Sequence, residues 1–317
     1  AIGIYITFRI LDIADLTVDG SIGTGGAVCI MMMLSGHNVY VSMLVATLAG
    51  MAAGLVTGLF HTFMGIPAIL AGILTQFGLY SINLKIMGKA NQAIGVDKYD
   101  LLVALRYVKN VPFYKNTIFV VTVVVIILIA ILYWFFGTEI GCAIRATGNN
   151  PDMVRSSSIN PVKTTIIGLC ISNAFTALSG CLLAQSQKSV SIDIGTGMVT
   201  VALASLLIGG AFFGKGKIPL RIFGMVVGAF VFRLVYTIAL RFNLPAFMLK
   251  FVSSVIVILA ISGPYLKKQL PYLVEFFSSQ RTLLMFVVLS RPHSRFVQAD
   301  GFCFHATIYH CSETTVS

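Results

Sequence analysis

Apolar stretches of membrane-span length alternate with short polar connections along most of this chain. Runs from Ile22 to Leu34, Val39 to Phe60, Ile66 to Leu84, Thr117 to Phe136, Thr164 to Ala184, Met198 to Phe213, Leu220 to Leu240 and Ala246 to Ser262 carry almost no charge. A helix needs about 20 apolar residues to cross a hydrocarbon core of about 30 Å, and it satisfies its own backbone while doing so. With the apolar run Ala1 to Phe8, read as a first helix cut short, the pattern predicts about nine membrane segments in an all-α polytopic protein. Met198 to Phe213 is near the short limit and is expected to be tilted or only partly spanning.

Small residues punctuate two of these runs. Gly50, Gly54 and Gly58 recur every fourth residue and share one helix face, as do Gly224 and Gly228; such faces let a neighbouring backbone approach closely. The connection from Lys85 to Asn116 is the longest polar one before the C-terminal tail, and Asp100 to Lys109 within it mixes apolar and basic residues as an interfacial helix does.

Composition agrees with a bilayer protein: 57% of the residues are hydrophobic and 10% charged, and mean hydropathy is +0.92. The net charge of +11 comes from 22 Lys and Arg against 11 Asp and Glu. These basic residues lie in short connections rather than in one patch with interleaved aromatics, so they are read as topological bias and lipid-headgroup contact, not as nucleic-acid binding. If residues 138–160 are cytoplasmic, Lys215, Lys217, Arg221, Lys267 and Lys268 fall on the same side, as positive-inside bias asks. The connection from 85 to 116, with six Lys and Arg, then falls outside and opposes that bias.

The segment Thr138-Glu-Ile-Gly-Cys-Ala-Ile-Arg-Ala-Thr-Gly-Asn-Asn-Pro-Asp-Met-Val-Arg-Ser-Ser-Ser-Ile-Asn160 is too structured for a passive loop. Thr138 is placed to cap a helix over Glu139 to Ala146, and Gly148 to stop it in the left-handed conformation. Asn149 or Asn150 then caps a second helix from Pro151 to about Ser157, with Pro151 at its first position and Asp152 complementing its dipole. The segment is either a helical hairpin lying on its own protein or a protrusion seated in a partner's groove.

Other chemistry is weak. Gly209-Gly-Ala-Phe-Phe-Gly-Lys215 imitates a phosphate loop, but Gly216 replaces the Ser or Thr that would bind Mg²⁺. The histidines at 37, 61, 293, 305 and 310 have no paired-ligand spacing, the six cysteines include no CxxC pair, and Cys303, His305, His310 and Cys311 match no common zinc pattern. No metal, cofactor or catalytic site is expected. Polar side chains inside spans are more telling. Gln76, Asn83, Asn173 and Arg233 are candidates to line a solute path, and Thr17, Asp19 and Ser21 are polar enough to line an interrupted helix.

The segment from Thr138 to Pro151 resembles the coupling segment of permeases in bacterial ABC importers of the branched-chain amino acid and ribose class. Arg9-Ile-Leu-Asp-Ile-Ala-Asp-Leu-Thr-Val-Asp-Gly-Ser21, Gly58-Leu-Phe-His-Thr62 and Ser81-Ile-Asn-Leu-Lys-Ile-Met-Gly-Lys-Ala-Asn91 resemble a branch paired with binding proteins for tryptophan-like or uncharacterised substrates. The resemblance covers residues 1–270, a transmembrane domain containing the segment 138–160, and ends before a divergent tail at 271–317. It implies a permease subunit in the bacterial inner membrane that dimerises, takes solute from an external binding protein and is driven by two separate ATP-binding subunits. Arg145, Ala146, Thr147, Gly148, Asn149, Pro151, Met153 and Arg155 would then carry the docking. One departure is Ser158, where the family has glycine; it costs about 1 kcal/mol if a left-handed cap is required there. The function expected is ATP-driven import of a small solute such as an amino acid. A gradient-driven transporter and a non-transport scaffold are the alternatives.

Overall fold

Lipid offers apolar side chains the same environment as a protein interior, so helices in a bilayer associate through close packing and polar contacts. The fold follows that logic. The computed structural model describes residues 1–94, 117–213 and 218–241, with isolated positions between 251 and 258. A short helix α1 (Ile2–Tyr5) runs into a π-helical turn (Ile6–Ile10). It is followed by α2 (Thr17–Leu34), α3 (Val39–Thr62), α4 (Ala68–Met87) and strand β1 (Asn91–Ala93). Next come α5 (Thr117–Phe136), α6 (Glu139–Asn149), α7 (Pro151–Ser156) and α8 (Pro161–Gln187). Strand β2 (Ser189–Ser191) leads through a 3-10 turn (Ile192–Gly195) into α9 (Met198–Phe213) and α10 (Ile218–Arg241).

Glycine and alanine bring α2, α3 and α8 into backbone contact. A Cβ on Gly50 would strike Ala177 and Asn173, one on Gly54 would strike Leu169, and one on Gly58 would lie 3.1 Å from Ile166, so α3 runs antiparallel to α8. On the other side Ser21 meets Asn173 and Cys29 meets Cys181, while Gly25 abuts the Ala177 backbone and Gly180 that of Ile22. α2 is therefore parallel to α8. Gly224 and Gly228 of α10 press on Gly209 and Ser205 of α9 in the same manner. Large apolar side chains face outward instead: Leu44 and Leu48 on α3, Phe77 on α4, Ile126 and Trp134 on α5 and Phe230 on α10 are all exposed.

Among the described residues six helical segments are long and apolar enough to cross a membrane, and a seventh results if α5 and α6, bent by 78°, are taken as one. Of the nine segments expected, the described residues therefore account for six or seven. The run from Ala1 forms only a short helix and a π-turn, and most of 246–262 lies outside the described residues. The short span at Met198 is extended by the turn before it, since the apolar segment starts at Ile192. α2 begins at Thr17 rather than at Ile22, because its glycines are filled by neighbouring helices and not spent on a loop. β1 and β2 pair antiparallel, with Gln92 opposite Val190, at the end of α8 remote from α6 and α7. Residues Ala1–Pro264 form one compact unit. The predicted interfacial helix at 100–109, the basic residues Lys215 and Lys217 and the tail lie outside the described residues.

Candidate functional site

The segment between α5 and α8 is a small folded object. Thr138 Oγ1 accepts from the Gly141 N–H at 3.3 Å and caps α6. Gly141, Ile144 and Thr147 form its buried stripe; the Thr147 hydroxyl lies 2.7 Å from that of Thr164 and ties α6 to α8. α6 does not stop at Ala146 as the sequence suggested. It continues to Asn149, and Gly148 is helical rather than left-handed. Its lack of a side chain serves proximity: a Cβ there would run into the carbonyl of Ile10.

Asn150 is the residue that caps α7, accepting from the Asp152 and Met153 N–H groups at 3.1 Å each, with Pro151 in the first turn. α7 ends in a Schellman motif. The Ile159 N–H reaches the Val154 carbonyl at 3.2 Å, the Ser158 N–H reaches that of Arg155 at 3.2 Å, and Ser158 sits between them at φ 63°. The left-handed cap is present, with serine in the place glycine suits best.

These contacts sort the predicted docking residues. Thr147 is buried and engaged with α8, Gly148 faces Ile10 and Ala146 is half-buried. Arg145, Asn149, Pro151, Met153 and Arg155 are exposed, and Met153 is 64% so. Val154 beside it is buried against the protein. An open cleft of about 360 Å³ lies at the α5–α6 bend, lined by Tyr133, Trp134, Phe136, Gly137, Thr138 and Arg145.

The polar residues in the spans are mostly joined into one network. Asn173 Nδ2 donates to Asp15 Oδ2 at 2.8 Å and to the Leu169 carbonyl at 3.0 Å, while its Oδ1 accepts from the Ser21 hydroxyl at 2.6 Å. Asp15 Oδ1 accepts from the Thr17 N–H at 2.8 Å. The hydroxyls of Thr17, Thr57 and Thr75 then link α2, α3 and α4 at 2.7 and 3.0 Å. Thr17, Ser21 and Asn173 are fully buried and spend their hydrogen bonds on the protein. Asn83 is buried with its Oδ1 unpartnered, Gln76 is half-buried and Arg233 is exposed on α10.

Asp19 has a separate task. Its two carboxylate oxygens accept from the N–H groups of Gly197 and Val199, both at 2.9 Å, and so cap α9 from a helix about 180 residues away in sequence. Gly195 packs on the Asp19 backbone, which brings the start of α9 down beside α2. Sequence reasoning missed Asp15, because acids between apolar runs read as loop residues. Its spacing two residues before Thr17, where a carboxylate can cap the backbone, was the available signal. The first part of the phosphate-loop imitation is helical, with Gly209 and Gly210 in α9 and Gly209 against Gly224, while residues 214–216 lie outside the described residues.

The family model described as branched-chain amino acid transport system / permease component matches residues 1–261. A tyrosine transport system permease protein of Clostridioides difficile is 33% identical over 81% of this chain and 84% of its own length. A fructose import permease protein of Bifidobacterium longum is 28% identical over 79% of this chain and 70% of its own. An autoinducer 2 import system permease protein of Yersinia pseudotuberculosis is 25% identical over 76% and 67%. No solved structure matches the chain. Glycine-packed spans, a folded polar segment between two of them and these likenesses converge: the chain belongs to the family of branched-chain amino acid transport permeases, as a multi-pass membrane subunit of a bacterial ABC importer of small solutes.

Proposed function

We propose that this permease imports an amino acid and that α6 and α7 form the joint at which ATP-binding subunits press on it. The observation that carries the docking is the division within the segment. One face, Gly141, Ile144, Thr147 and Val154, is fastened to the protein, and the other leaves Arg145, Asn149, Pro151, Met153 and Arg155 exposed. An exposed methionine on α7 with Arg155 two residues on, and an exposed Arg145 on α6, suit a groove with an apolar floor and acidic rim. Closure of two such subunits around ATP would move α6, and with it the turn at Ile10 and α8 through Gly148 and Thr147. A second copy of this chain completes the path, and an external solute-binding protein delivers the solute. Amino-acid import rests on the tyrosine permease likeness. The cytoplasm is the side of α6 and α7.

Affinity purification of the tagged permease co-expressed with its ATP-binding subunits tests the joint. Arg145→Glu is expected to lose those subunits while the permease remains folded in the membrane. Retained co-purification would contradict the docking role.

A further inference from the structure

Between the α6–α7 face and the β1–β2 end, α2 and α8 carry a pair of thiols that lies outside both the α6–α7 segment and the Asp15–Asn173 network. Cys29 Sγ and Cys181 Sγ lie 2.8 Å apart, both residues are fully buried and both are free. The Gln185 amide nitrogen is 3.5 Å from Cys29 Sγ and 3.4 Å from Cys181 Sγ, while its Oε1 is buried without a partner. Met33 Sδ lies 3.8 Å from Cys29 Sγ. The other two described cysteines have no thiol neighbour of this kind: Cys142 is exposed and points at the Phe136 carbonyl, and Cys170 is buried.

We infer that Cys29 and Cys181 are an oxidisable dithiol that a hydroperoxide closes into a disulfide between α2 and α8. Hydrogen peroxide is small and uncharged, so it crosses lipid and enters sites closed to larger oxidants. The Cys29 sulfur attacks one peroxide oxygen, the O–O bond breaks, and the departing hydroxide leaves as water with the thiol proton. The sulfenic acid so formed is attacked by the Cys181 sulfur, which displaces its hydroxyl as a second water. Two thiols and one peroxide thus give one disulfide and two waters, the sulfurs losing the two electrons that the peroxide oxygens gain. The Gln185 amide donates toward both sulfurs and favours charge developing on them. The bond closes a loop between residues 152 apart, which restricts the unfolded chain far more than a local link does.

Peptide mapping of the purified full chain in detergent tests this. After hydrogen peroxide, quenching, denaturation, iodoacetamide and digestion without reductant, the Cys29 and Cys181 peptides are expected as one linked species that a phosphine reductant separates. The unfolding midpoint is expected to rise in the wild type and not in Cys29→Ser or Cys181→Ser. The linked peptide is read in the wild type and does not depend on either variant folding. Recovery of both peptides alkylated singly, or of sulfinic acid at either cysteine without the link, would overturn the proposal. So would copper found bound to purified protein whose two thiols stay unlinked after peroxide.

Discussion

Ser158 shows how one side chain sets a local cost. At φ 63° a residue with a Cβ is less comfortable than glycine by about 1 kcal/mol, yet the two reverse-turn hydrogen bonds at the end of α7 require that conformation. Ser158→Gly relieves that strain but adds about 0.5–1 kcal/mol of unfolded-chain entropy, so it is expected to stabilise the end of α7 by no more than about 0.5 kcal/mol. Slower amide exchange at Ile159 is the readout, and faster exchange would count against the strain. Asn173 is the opposite case, a side chain whose removal strands others. Leucine there leaves Asp15 Oδ2 and the Ser21 hydroxyl without their partner inside a packed interface. A loss of about 2–4 kcal/mol in unfolding free energy is expected, since each stranded buried group costs about 1–3 kcal/mol. Thermal unfolding in detergent measures it, and an unchanged midpoint would show the network to be dispensable.

Elements carry the division of labour. Gly148→Val and Arg145→Glu alter neighbouring positions on α6 and are expected to fail differently. Valine at 148 drives a side chain into the Ile10 carbonyl and should cost about 1–3 kcal/mol by overpacking, loosening α6 from the membrane domain and exposing it to protease. Glutamate at 145 changes only an exposed charge and should leave the protease pattern as it is. α9 offers a second test, because N–H groups at its start are held by Asp19 of α2. Asp19→Ala should cost about 1–2 kcal/mol and raise amide exchange at Gly197 and Val199, whereas an unchanged exchange rate would mean that packing alone holds α9.

For the whole molecule, the sequence made the spans legible because the bilayer imposes length and hydropathy on each helix separately, and capping chemistry at Thr138, Asn150 and Ser158 is local enough to read from neighbours. What it did not disclose depends on residues far apart. The hold of Asp19 on Gly197 and Val199 spans about 180 residues of sequence, and Gly148 looked like a helix stop until Ile10 arrived beside it. Asp19 lies within α2 and Asp15 is fully buried just before it, so carboxylates of the kind a gradient-driven transporter uses are present and do not separate that class from an ATP-driven one. Family membership now carries that decision. The central claim is that this permease moves solute only when separate ATP-binding subunits act on α6 and α7. Uptake of radiolabelled amino acid by proteoliposomes addresses it directly. The account predicts uptake when permease, ATP-binding subunits, solute-binding protein and ATP are all present, and none when any one is withheld; uptake driven by an ion gradient through the permease alone would contradict it.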